Sequence, residues 1–108
     1  MKDFLRRQLD RYADRLGELD FLLSRPDIMA DMAQLMKLSR EHTEVGAIAE
    51  RWARYRQRER DLQAAHEMLE DAELADMAGE EIAACEAELA EVGTELQRML
   101  LPRDPDDS

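Results

Sequence analysis

Apolar residues recur along the chain in three stretches, each stepping alternately by three and four. In the first, Leu5, Leu9, Tyr12, Leu16 and Leu19 are spaced 4, 3, 4, 3, and Leu22 or Leu23 closes the stripe. That period, near 3.5, is helical; a strand would repeat every two residues. Ser24-Arg25-Pro26-Asp27 ends the stretch, because proline cannot continue the helical ladder and restricts the residue before it. The second stretch runs from about Pro26 to Leu69 without internal proline. Its seam passes through Ile28, Leu35, Leu38, His42, Val45, Ile48, Trp52, Tyr55, Leu62, Ala65 and Leu69. The phase survives Gly46, which predicts one long helix, bent there if anywhere, since glycine costs only about 1 kcal/mol relative to alanine. A split near Thr43 is the alternative.

After Leu69 the pattern breaks. Asp71 suits an N-cap for one or two turns through Ala78, and Gly79 suits the left-handed residue that closes such a turn. The third stripe is Ile82, Cys85, Leu89, Val92, Leu96 and Met99, with Glu80 and Glu81 at its start and Arg98 at its end, matching the helix dipole. Pro102 stops it. The expected fold is all-α: an elongated antiparallel three-helix coiled-coil-like bundle with a short extra helical turn before the last helix. Each stripe is too narrow for its helix to stand alone. The expected division is a helical domain over 1–101 and the start of an interdomain linker over 102–108.

The length of 108 residues leaves room for one small domain. A single cysteine excludes an internal disulfide framework and fits a reducing, cytoplasmic setting. No run approaches the roughly 20 apolar residues of a membrane span. The net charge of −11 is unevenly placed: residues 70–108 hold thirteen acids against Arg98 and Arg103, and 13 − 2 accounts for all of it. Such a chain should bind little nucleic acid directly, because that requires Lys and Arg to replace counterions.

No catalytic constellation stands out. The four glycines, Gly17, Gly46, Gly79 and Gly93, are too scattered to cradle a phosphate. His66-Glu67-Met68-Leu69-Glu70 is half of a metalloprotease motif without its second histidine. A zinc role for His66 with Cys85 is outweighed by the plainer reading of a surface histidine and a small buried thiol. His42 reads as a partly buried packing residue. The acids from Glu80 to Glu95 read as a solvated face, and the seven methionines as filler of the core and the bundle ends. No catalytic, cofactor or metal residue is therefore assigned, and the chain is not expected to be an enzyme. Five arginines between Arg51 and Arg60 offer one candidate contact surface. Projected on a helix, Arg51, Arg56 and Arg58 flank the seam, where Glu86, Glu88 and Glu95 of the third helix could pair with them. Arg54 and Arg60 point away and are the candidates for contact with an acidic or phosphate partner.

The ending Met99-Leu100-Leu101-Pro102-Arg103-Asp104-Pro105-Asp106-Asp107 resembles the leucine-rich, Asp/Pro junction of the bacterial release factor 1 family, with a methionine at one leucine position. Leu38-Ser39-Arg40-Glu41-His42 resembles a second family segment, with His42 where tyrosine is usual. Met68-Leu69-Glu70-Asp71, followed by Glu73 to Ala78, resembles a third. The resemblance implies an N-terminal helical domain that docks and positions a translation termination factor. Family members direct termination at UAA and UAG through a Pro-Xaa-Thr element and promote peptidyl-tRNA hydrolysis through a Gly-Gly-Gln loop. This sequence contains neither. By resemblance the partners are the GTPase-associated region of the large ribosomal subunit and the release-factor glutamine methyltransferase, which methylates the full-length family member. A weak homodimer through exposed seam edges is left open. The competing reading is a free-standing structural coiled-coil scaffold.

Overall fold

The structure, a computed structural model, describes residues 1–101. Three α-helices and a 3-10 turn make up nearly all of it: α1 (Asp3–Leu23), the 3-10 turn (Pro26–Ala30), α2 (Met32–Met68) and α3 (Ala75–Leu100). There is no strand among the described residues, so the expected all-α class holds. The linker expected over 102–108 lies outside the described residues. By internal contacts the described chain forms two compact units, divided after Trp52, with α2 contributing to both.

In the first unit α1 lies antiparallel to the N-terminal half of α2. The pairing shows it, since Asp10 meets Trp52 while Asp20 meets His42. Leu19, Leu38 and Val45 form the buried centre, with Tyr12, Leu16, Leu22, Leu23 and Ile28 packed around them. The entry to α2 is tighter than the sequence pattern suggests. Asp31 leaves helical geometry (φ −121°, ψ 88°), and its carboxylate accepts from the Gln34 backbone N–H at 3.1 Å. That is the N-cap bond that offsets one unpaired helix donor. The long helix therefore begins at Met32 and not at Pro26. It then continues unbroken through Thr43 and Gly46 to Met68, so the split near Thr43 does not occur. The Thr43 hydroxyl donates to Ser39 O within the helix.

In the second unit the C-terminal part of α2 lies antiparallel to α3. Arg58 pairs with Glu81 and Glu88, while a Cβ at Gly93 would meet the Tyr55 ring, three residues earlier on α2. The buried positions here are mostly small: Ala65, Ala78, Cys85 and Gly93, with Leu96 the one large side chain. Small residues let two helices approach closely, and burial of their apolar surface, not intrinsic propensity, stabilises the pair. The stretch from Asp71 to Gly79 differs from expectation. Asp71 does organise a turn, accepting from Glu73 N through its side chain and from Leu74 N through its carbonyl. The turn passes directly into α3 at Ala75, so the extra turn is continuous with the last helix, and Gly79 lies inside it. No glycine among the described residues has positive φ, so Gly79 does not close a turn in left-handed geometry. Ala78, fully buried, extends the third stripe one step earlier than the sequence suggested.

Candidate functional site

The most heavily charged feature sits between α2 and α3 in the second unit. Its centre is Arg58, whose side chain is only 13% exposed. One terminal nitrogen, Nη1, donates to Asp61 Oδ2 at 3.0 Å and to Glu81 Oε1 at 3.1 Å. The buried Nε lies 2.8 Å from Glu88 Oε2, yet its N–H does not align with that oxygen. The Glu88 contact of Arg58 is thus electrostatic and not a hydrogen bond. Burial opposes the Arg58 charge, but the Asp61 hydrogen bond and the surrounding carboxylates outweigh it and hold the guanidinium above its ordinary range. Glu88 also takes both Arg54 nitrogens, Nε and Nη2, on its two oxygens. This fork geometry is available to arginine and not to lysine. The Arg54 hydrogen bond is the main reason the Glu88 carboxyl lies below the usual range. Asp61 is likewise lowered, first by Gln57 and then by Arg58.

The helical projection is therefore right for Arg58 and wrong for Arg54, which turns toward α3. Arg54 stands four residues before Arg58 on the same face of α2, so both guanidiniums lie within reach of one carboxylate on α3. Arg60 donates to Gln57 on its own helix at 2.8 Å. Arg51 donates to the Ala47 carbonyl and Arg56 lies 3.9 Å from Glu59, both within α2. Glu88, one of the acids expected to pair across the seam, does so, and Glu81, not among those expected, pairs with Arg58.

Cys85 is fully buried beside this cluster, its sulfur 3.4 Å from Glu81 Oε1. Burial first, and the neighbouring carboxylate next, push its pKa up, which leaves the thiol protonated and unreactive. His66 is exposed. Among the described residues no group of three or more His, Cys, Asp or Glu side chains is arranged to hold a metal ion.

The first unit carries its own polar contacts. Arg15 spans to Glu41 in a fork, with Nε at 2.6 Å and Nη2 at 2.8 Å, and its Nη1 also reaches Glu18 at 2.9 Å. The Arg15 hydrogen bond lowers the Glu41 carboxyl. His42 is half-buried, as its place in the seam suggests, and its Nε2 lies 2.7 Å from Asp20 Oδ1. Trp52, 2% exposed, donates its indole N–H to Asp10 at 2.9 Å, and the Arg6 guanidinium sits 5.2 Å from the ring centroid. Neither partner of Trp52 stood out from sequence. The signal was present: a tryptophan in a buried seam needs an acceptor for its N–H, and Asp10 follows the buried Leu9 on α1. The methionines depart furthest from expectation. Met29, Met32 and Met36 are exposed rather than core filler.

These features define a class: an all-α module of two antiparallel helix pairs fastened by cross-helix arginine–carboxylate contacts, with no helix long and apolar enough to cross a membrane among the described residues. Residues 12–108 match the PCRF domain family, and the chain belongs to it. It is 67% identical over 108 residues to a protein of Paracidovorax citrulli named peptide chain release factor 1. It is 65% identical over the same length to the proteins of that name in Variovorax paradoxus and Delftia acidovorans. In each of these comparisons the whole of this chain is covered, but only 30% of the relative. No solved structure matches the chain.

Proposed function

We propose that this chain is the N-terminal helical module of a translation termination factor, and that it docks and positions the factor without catalysing release. The observation that carries the reading is the 67% identity, over all 108 residues of this chain, to a protein named peptide chain release factor 1. On this reading the stop codons served are UAA and UAG, and peptidyl-tRNA hydrolysis belongs to parts of the relatives beyond the 30% that this chain matches. The partner is the ribosome, at the GTPase-associated region of its large subunit, in the cytoplasm. The release-factor glutamine methyltransferase is a second partner. The boundary falls after residue 101, with 102–108 as the start of a linker. The scaffold alternative gains no support from these relatives.

Helices paired through buried apolar seams, with arginine–carboxylate forks beside them, suit a part that positions and does not catalyse. The test is a chimera in which this chain replaces the matching segment of the Paracidovorax citrulli protein. Peptide release at UAA and UAG by the chimera, and none by this chain alone, is the expected result. A folded but inactive chimera, or hydrolysis by this chain alone, overturns it. Within the module Arg54 and Arg60 are the proposed partner contacts. Arg60→Glu should weaken ribosome binding of the chimera. Arg54→Gln should weaken it likewise, and because Glu88 keeps its contact with Arg58 in that variant, the seam carboxylate stays paired. Unchanged binding in both, with intact helicity, removes these residues from the interface. Weak self-association through seam edges is tested by sedimentation of the isolated chain, where a single monomeric species at every concentration rejects it.

A further inference from the structure

Three thioethers fall within eight residues at the start of α2 and the turn before it: Met29, Met32 and Met36. They are 69%, 59% and 59% exposed. None of the three contributes to the buried centre of the first unit. By contrast Met68 and Met99 are half-buried. Thioether oxidation requires contact between sulfur and oxidant, so the exposed and half-buried sets should differ in rate.

We propose that Met29, Met32 and Met36 form an oxidant-modifiable strip, in which a hydroperoxide converts each thioether to a sulfoxide without unfolding the helices. The step balances. The peroxide O–O bond breaks, one oxygen bonds to sulfur, sulfur loses two electrons, and the peroxide is reduced to water or, from an organic hydroperoxide, to an alcohol. Reversal needs a dithiol acting through a methionine sulfoxide reductase: the sulfoxide oxygen leaves as water, the thioether is restored, and the dithiol becomes a disulfide. The fold tolerates the change because the side chains already face water. A sulfoxide there neither opens a cavity nor buries an unpaired oxygen, which is what makes oxidation of core methionines disruptive. Asp31 caps α2 through Gln34 N, a contact that no methionine side chain makes, so the helix start keeps its cap. The strip changes from apolar to polar while its backbone stays in place. Met77, 58% exposed on α3, is a lone site of the same reactivity.

The experiment is limited treatment of the 108-residue chain with hydrogen peroxide, followed by peptide mass spectrometry and circular dichroism at each time point. Oxidation of Met29, Met32, Met36 and Met77 severalfold ahead of Met68 and Met99, with helicity unchanged and reversed by reductase with dithiothreitol, is the expected result. Retention on a hydrophobic column should fall with oxidation in the parent chain. It should fall much less in the triple variant Met29→Leu, Met32→Leu, Met36→Leu, which keeps the strip apolar. Equal rates at all sites, loss of helicity with the first oxygens added, or an equal retention change in the triple variant overturns the proposal.

Discussion

Replacing Gly79 by alanine tests the placement of the α3 start more directly than any other single change. As a left-handed residue closing a separate turn, Gly79 would resist alanine, since a side chain at positive φ is strained. In the structure Gly79 is an ordinary helical residue, and a Cβ built there meets nothing within 4 Å. Alanine should therefore contribute its full helix preference over glycine, about 1 kcal/mol, with no steric cost. For a domain of this size that raises the melting temperature by about 4–8 °C. Gly93 supplies the control. It lies in the same helix but is buried, and a Cβ there would come within 3.3 Å of Tyr55 Cε2. The same propensity gain is available, but the Tyr55 ring must shift by a few tenths of an ångström in a packed seam. Gly93→Ala should gain clearly less than Gly79→Ala, or lose stability. Adding Tyr55→Ala should restore the gain, measured as the Gly93→Ala difference in that background. Urea unfolding followed by circular dichroism reads all five chains, the parent and Tyr55→Ala alone included. Destabilisation by Gly79→Ala, or equal gains at 79 and 93, would refute the continuous α3 and its close approach to α2.

Three further outcomes follow from the packing and the charges. Leu96→Ala empties the largest fully buried side chain of the second unit and should cost about 2–5 kcal/mol in urea unfolding; a loss below about 1 kcal/mol would show that the site is not packed as described. The folded Glu41 carboxyl lies below its unfolded value near pH 4, so the stability it confers is complete above about pH 5 and is lost as pH falls through the folded pKa. The stability difference between the parent chain and Glu41→Gln should therefore be full at neutral pH and close on acidification, and a difference that widens below pH 5 contradicts the Arg15 fork. Cys85, buried with its pKa raised, should react with an aromatic disulfide reagent far more slowly in native buffer than in denaturing urea; equal rates would mean that the thiol is not enclosed between α2 and α3.

The three stripes were legible because helical periodicity is a property of neighbours in the chain. Leu9, Leu19, Leu38, Val45, Trp52, Cys85 and Leu96 were assigned to seams from spacing alone, and all are buried. Boundaries were less legible, since two local signals competed. Asp31 is one of several acids near Pro26, and nothing in spacing says which carboxylate will cap α2. Gly79 carries the mark of a helix end, but burial of Ala78 and Cys85 against α2 outweighs it and draws the preceding residues into α3. The candidate site divides in the same way. That arginines of α2 would meet acids of α3 was readable from charge placement; that Arg54 joins Arg58 on Glu88 was not, because long side chains are free to choose among carboxylates until both helices are in place.

What the sequence determined by itself is the set of helices, their apolar stripes and the kinship to release factors, all of which depend on residue order. Only the tertiary structure decided which half of α2 serves α1 and which serves α3, which acids hold Arg15, Arg54 and Arg58, and that Met29, Met32 and Met36 stay outside. Those choices depend on which surfaces remain after helices pack. A methionine at helical spacing is apolar in either place, and only the position of its neighbours determines whether it meets them or water.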